Sequence, residues 1–98
     1  MEEKKTDCRT PNQGRIGVTR ISSWKYDLVR TAILRAVGEE GILFKDLKQT
    51  VRQNMTMHDL EKLGSLSWHM TTVKLNMEAE GELSRSKQQG LQFIKRAQ

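Results

Sequence analysis

The stretch "LSWHMTTVKLNMEAEGELSR", Leu66–Arg85, decides the fold prediction. Its apolar residues recur at spacings of four, three and four, namely Leu66, Met70, Val73 and Met77. This is the period of an amphipathic α-helix with one buried face. Ser65 stands where a helix N-cap is expected, and Gly81 stands where a left-handed residue commonly ends a helix. The stretch therefore predicts a helix from about Ser65 to Glu80 that leads directly into a strand.

A β-hairpin is predicted after this helix. Leu83 and Arg85 alternate with a serine, and Leu91 and Phe93 alternate with a glutamine. The polar segment "SKQQG" separates the two runs. Alternation on both sides of a glycine-containing turn is typical of two antiparallel strands.

The segment upstream predicts a first helix. Ser22 or Ser23 can cap it, and Asp27 falls in its first turn, near the positive end of the helix dipole. Its apolar stripe has helical spacing and comprises Tyr26, Val29, Ile33, Leu34 and Val37. The segment "GEEG", residues 38–41, ends the helix.

A short strand and a second helix come next. The apolar run "ILF", residues 42–44, can pair as a strand, and a helix over about 45–53 would bury Leu47 and Val51. In the link over 54–64, Thr56 followed by Asp59 resembles a capping box, which favours a single helical turn.

Residues 1–20 show neither a helical nor a strand period. They are polar, mixed in charge, and contain Pro11, Gly14 and Gly17. We interpret them as an extended N-terminal arm, disordered alone or laid across the domain. Residues 21–98 then form a single α+β winged helix domain, a helix-turn-helix extended by a β-hairpin wing.

Length and composition limit the classes of function. A chain of 98 residues makes one domain at most and has little room for a catalytic cleft. The single Cys8 excludes an intrachain disulfide, and the sequence holds neither a membrane-spanning apolar run nor a signal peptide, so we expect a cytoplasmic protein without a membrane partner. The net charge is +5 and the pI is about 9.7, which favours association with phosphates.

The leading functional prediction is a nucleic-acid-binding module. In a DNA-binding winged helix, the helix before the wing enters the major groove and the wing contacts the backbone or the minor groove. Residues of matching position are polar or cationic: Ser67, Thr71 and Lys74 on the helix, and Arg85 and Lys87 on the wing. The sequence predicts duplex DNA as the partner and transcriptional regulation as one use of the module.

The opposite side of the same helix favours a second functional hypothesis. It carries Trp68, Thr72, Leu75 and Ala79, and no arginine lies between Ser65 and Gly81. An exposed apolar patch usually marks an interaction site. The N-terminal arm could cover it through Pro11 and Ile16, a second copy could pack there as a homodimer, another protein could bind, or both sides of the helix could be core. The alternative function is thus a protein-interaction or dimerisation module that uses Trp68 and Leu75.

Metal, cofactor and catalytic sites are not predicted. Cys8, His58 and His69 are scattered without the spacing of metal ligands. The sequence holds no glycine-rich phosphate loop and no nucleophile elbow. We therefore expect a protein that is not an enzyme and needs no cofactor.

Three segments carry a resemblance to a known family. "PNQGR" (11–15), "KYDLVRTAIL" (25–34) and "WHMTTVKLNMEAEG" (68–81) resemble a bacterial family of small winged-helix-like proteins of unknown function. With the spacing between them, they cover nearly the whole chain. The resemblance implies the winged helix fold and no particular activity. The family has a longer loop with proline and glycine before the last helix, where this chain has "NMTMHDLEKLGS".

Overall fold

The computed structural model describes residues 3–12 and 15–97, without the side chains of residues 10–12, 15 and 16. The described residues form five strands and four helices, a small α+β domain. In chain order these are β1 (Lys5–Asn12), β2 (Arg15–Ser22), α1 (Ser23–Val37), β3 (Ile42–Leu43), α2 (Phe44–Gln53), α3 (Met57–Leu63), α4 (Leu66–Ala79), β4 (Leu83–Gln88) and β5 (Leu91–Arg96).

The hydrophobic core confirms the predicted stripes. The four apolar positions of α4 are buried against α1 and α2, and the core is completed from the other elements by Val29, Ile33, Val37, Leu47, Val51, Leu83 and Ile94. Burial of a side chain of this size contributes roughly 1.5–3 kcal/mol. The helical spacing therefore predicted correctly which face of each helix packs into the core.

A three-stranded antiparallel sheet closes one side of this core, with strand order β3-β5-β4. The predicted hairpin is confirmed, and its strands run further than "SKQQG" suggested, so that Gln88 pairs with Leu91. Gln89 and Gly90 form the connection with φ of 53° and 79°. Positive φ at both central residues is what a tight type I′ hairpin turn requires.

Side-chain caps begin α3 and α4 but neither α1 nor α2. Ser65 Oγ accepts from Trp68 N at 3.2 Å, and Thr56 Oγ1 accepts from Asp59 N at 3.0 Å, as predicted. The capping prediction for α1 was wrong, because the Ser22 side chain makes no cap hydrogen bond and Asp27 lies beyond the first turn. The hydroxyl of Ser23 is instead hydrogen-bonded to Thr6 Oγ1 at 2.8 Å.

The N-terminal segment, predicted as an extended arm, forms a β-hairpin that lies against α4. β1 and β2 pair antiparallel from Lys5↔Ser22 to Asn12↔Arg15, and β2 runs past the predicted boundary at residue 20. Cys8 and Ile21 point into the core. No strand period was recognised because this inner face is only partly apolar. The hairpin packs along α4 and joins the same core.

No helix in the described part of the chain is both long enough and apolar enough to cross a membrane.

Candidate nucleic-acid interface

The β4–β5 hairpin, which the sequence predicted as a wing, presents two cations to solvent. Arg85 and Lys87 stand two positions apart on β4, so they project from the same face of the hairpin, and both are exposed. Lys87 is paired across the strands with Gln92. A shallow recess of about 420 Å³ is lined by Arg85, Ser86, Lys87 and Gln92. Every described side chain that lines it is cationic or neutral and can donate a hydrogen bond.

The two predicted hydroxyls of α4 are also accessible. Ser67 and Thr71 are one helical turn apart and both are exposed. Their hydroxyls can donate to a phosphate oxygen or a base edge. They bring hydrogen-bonding capacity to the exposed side of α4 but no charge.

Lys74 is not placed with them. Its side chain is only 3 % exposed. The ammonium lies 2.7 Å from Glu78 Oε1 and 4.7 Å from the ring centroid of Phe44. In this position the charge is neutralised within the protein and shielded by α2. Lys74 therefore helps to dock α2 on α4 and is left out of the interface proposed below.

The apolar side of α4 is divided by burial. Trp68 is 48 % exposed, Leu75 is partly buried and Ala79 is exposed, whereas Thr72 is buried. The Trp68 ring meets His69 edge to face, with centroids 4.8 Å apart, and the His69 Nδ1 lies 2.6 Å from Ser65 O. The part of α4 that faces the N-terminal hairpin is thus part of the core, whereas a narrow strip that includes Trp68 faces solvent.

A polar network that is buried at Asn76 and exposed at Glu80 docks the N-terminal hairpin on α4. Asn76 Nδ2 donates to Tyr26 Oη at 2.7 Å, and Asn76 Oδ1 accepts from Arg9 N at 2.9 Å. The Arg9 guanidinium then pairs with Glu80 at 2.7 Å. Covering of α4 by the N-terminal segment was one of the predicted alternatives. The side chains of Pro11 and Ile16, through which it was expected, lie outside the described residues.

One charged surface was missed by the sequence reasoning. Lys45, Lys48 and Arg52 are all exposed on α2, at spacings of three and four, and so share one face of that helix. They line a shallow recess of about 580 Å³ together with Gln49 and Gln53. The sequence signal is the spacing of the three cations in "KDLKQTVRQ", which places them on one face of a helix.

Comparison with known proteins identifies the family. The model of a family of unknown function, DUF6958, matches residues 5–93. The chain belongs to DUF6958. This confirms the predicted resemblance to a family without an assigned activity, and the match includes β1 and β2 as well as the four helices. No match is found among curated proteins or solved structures.

In the part of this DUF6958 chain that the structure describes, the His, Cys, Asp and Glu side chains form no metal-binding group. Residues 3–12 and 15–97 contain no group of three His, Cys, Asp or Glu side chains that could hold a metal ion. Cys8 is buried, and burial raises the pKa of its thiol above the ordinary value. A raised pKa keeps the thiol protonated and weakly nucleophilic near neutral pH.

Proposed function

We propose that this protein is a non-enzymatic winged helix module that binds duplex DNA mainly through the phosphate backbone. Two features support the winged helix assignment: the element order, in which α1, β3, α2, α3, α4, β4 and β5 succeed one another, and the sheet order β3-β5-β4. Both suit a helix-turn-helix extended by a hairpin. The net charge of +5 supports a polyanionic partner.

The exposed cations of the wing carry the proposal. Arg85 and Lys87 share one face of β4, and their recess is lined by side chains that are cationic or neutral. Arginine offers a planar fork of donors to a phosphate, and lysine offers a point charge. A hairpin tip of this kind fits the sugar-phosphate rim of a groove.

Backbone contact is favoured over base reading by the chemistry of α4. Base edges are read best by arginine, lysine, asparagine or glutamine. Lys74 and Asn76 are buried, so the exposed side of α4 offers the hydroxyls of Ser67 and Thr71 instead. We therefore propose binding of low sequence specificity, and transcriptional regulation only as one use of such a module.

A direct titration tests this function. Fluorescence anisotropy with a labelled mixed-sequence duplex is measured over a salt series, for the natural chain and for Arg85→Ala/Lys87→Ala. Each phosphate contact contributes about 0.9 to the slope of log affinity against log salt, so the double variant should lose about 1.8 from that slope. Lys5→Ala/Arg20→Ala is the control, because it removes the same charge from cations paired with Glu3 and Asp7. Absence of binding by the natural chain at low salt overturns the proposal.

Exposure of Trp68 supports a second candidate, a protein-interaction or dimerisation module. An indole 48 % exposed on a helix, beside the partly buried Leu75, is the kind of aromatic anchor found in interfaces. Light scattering tests it. A dimer mass that Trp68→Ala abolishes would support this function, and a monomer at all concentrations would exclude self-association.

A further inference from the structure

We infer that the exposed face of α2 formed by Lys45, Lys48 and Arg52, the α2 basic face, is a second phosphate-binding surface that takes the backbone of duplex DNA. This inference rests on the proposed function and extends it to residues outside the wing and α4. It assigns to α2 a share of the affinity that the wing alone would otherwise carry.

The three cations are arranged as a row. Helical spacing of three and four residues places them on successive turns of one face, over about 10 Å at 1.5 Å per residue. Along one strand of B-DNA, charges repeat about every 3.4 Å of the axis. The row therefore spans roughly three phosphates. Gln49 and Gln53 flank it and add amide donors to the same recess.

The charges of this row are available to a ligand. Within residues 3–12 and 15–97, no ion pair involves Lys45, Lys48 or Arg52. Five other cations are ion-paired with carboxylates: Lys5 with Glu3, Arg9 with Glu80, Arg20 with Asp7, Arg30 with Glu82, and Lys74 with Glu78. An unpaired cation gives up no internal partner when it meets a phosphate.

The row is also fixed in place by the core. Leu47 and Val51 on the inner face of α2 are fully buried, so the helix cannot rotate its cations away without losing that packing. Thr50 and Asn54 hydrogen-bond to carbonyls one turn back on α2. Because the helix that carries the three cations is already fixed, less conformational entropy is lost when they bind a ligand.

The chemistry of this face favours a duplex over unpaired bases. Single strands are held by aromatic side chains on which bases stack. The recess of the α2 basic face is lined by lysine, glutamine and arginine, and Phe44 at the start of α2 lies against Lys74 instead. Charge without a stacking platform suits the outside of a double helix.

The test compares two variants of equal charge. Lys45→Gln/Lys48→Gln/Arg52→Gln removes the α2 basic face and keeps good helix-forming residues. Lys5→Gln/Arg9→Gln/Arg20→Gln removes three ion-paired cations of the hairpin. In the salt series with duplex, we expect the α2 variant to lose about 2.7 from the slope if all three cations contact phosphates. The hairpin variant should lose less than about one.

Each result is decisive for a stated part of the account. An α2 variant that keeps its fold by circular dichroism and loses less than about one from the slope overturns this inference. If, in that case, Arg85→Ala/Lys87→Ala still weakens duplex binding, the proposed function stands without the α2 basic face. If the natural chain does not bind duplex, both fall. A single strand that competes as well as the duplex overturns the assignment to duplex backbone.

Discussion

Buried polar residues on α4 determine which of its sides is available. Asn76 is 3 % exposed and serves two elements at once, through Tyr26 Oη and Arg9 N. A polar residue in such a position must be satisfied, because a lost partner leaves other buried groups without hydrogen bonds. The N-terminal hairpin and α1 are thus both hydrogen-bonded to α4 through the side-chain amide of Asn76.

We expect Asn76→Ala to destabilise the protein by about 2–3 kcal/mol, because it removes two hydrogen bonds and leaves the Tyr26 hydroxyl and the Arg9 N–H unsatisfied. Urea denaturation measures the free energy of unfolding. Gln53→Ala, at an exposed position, is the control and should change it by less than about 0.5 kcal/mol. Equal effects of the two substitutions would contradict the role given to Asn76.

The burial of Lys74 makes a prediction opposite to that from the sequence. Lys74→Met keeps an unbranched side chain against Phe44 and removes the ammonium. Since that charge is already paired with Glu78, we expect no change in the salt dependence of duplex binding. A slope lowered by about 0.9 would show that Lys74 reaches a phosphate in the complex.

Alkaline pH should weaken the fold through two buried acids. Burial raises the pKa of the Cys8 thiol and of the Tyr26 hydroxyl above their ordinary values of 9.0 and 10.0. Each stays neutral in the folded state at a pH where the unfolded chain ionises. Their contribution is therefore complete below about pH 9 and is lost as pH rises through the folded pKa values. Urea denaturation from pH 7 to 11 measures this, and Cys8→Ala should reduce the loss; a stability that rises over this range would contradict it.

At the scale of elements, Gly41 in the loop after α1 allows strand β5 to pack closely against that loop. Gly41 has φ of 88°, and a Cβ there would lie 2.5 Å from Phe93 Cζ and 2.8 Å from Ile94 O. Gly81 has a similar φ of 81° and open space around it. The two positions separate backbone strain from steric overlap.

We expect Gly41→Ala to cost more than about 3 kcal/mol of stability, since strain of about 1–2 kcal/mol at positive φ is joined by overlap with β5. Gly81→Ala should cost only the strain, about 1–2 kcal/mol. Thermal or urea denaturation of both variants measures the difference. Equal losses would mean that β5 moves away from the loop before β3 at little cost.

The elements that the sequence predicted well are those with an apolar period. α1, α2, α4 and the β4–β5 hairpin each carry a stripe or an alternation, and their predicted bounds agree with the structure within a residue or two. The hairpin of β1 and β2 has no such pattern, because it packs on α4 partly through the Asn76 amide and the small side chain of Cys8. Its docking on α4 includes a hydrogen bond between residues 67 positions apart in sequence, which local sequence patterns do not reveal.

At the scale of the whole molecule, the distribution of paired and unpaired charge defines the candidate interface. The sequence alone predicted that Arg85 and Lys87 share a face of the β4–β5 hairpin, because side chains alternate along a strand. The burial of Lys74 could not be foreseen, since it depends on where α2 crosses α4. The α2 basic face follows from the spacing of its lysines, but its availability depends on which carboxylates lie near it.

The central claim is that duplex DNA contacts the wing and the α2 basic face, and amide chemical-shift mapping tests it most directly. A ¹⁵N-labelled sample is titrated with an unlabelled mixed-sequence duplex at low salt. We predict the largest shifts at Arg85, Lys87, Lys45, Lys48 and Arg52, with the Trp68 indole little changed. Shifts confined to Trp68 and its neighbours, or none at all, would contradict the account.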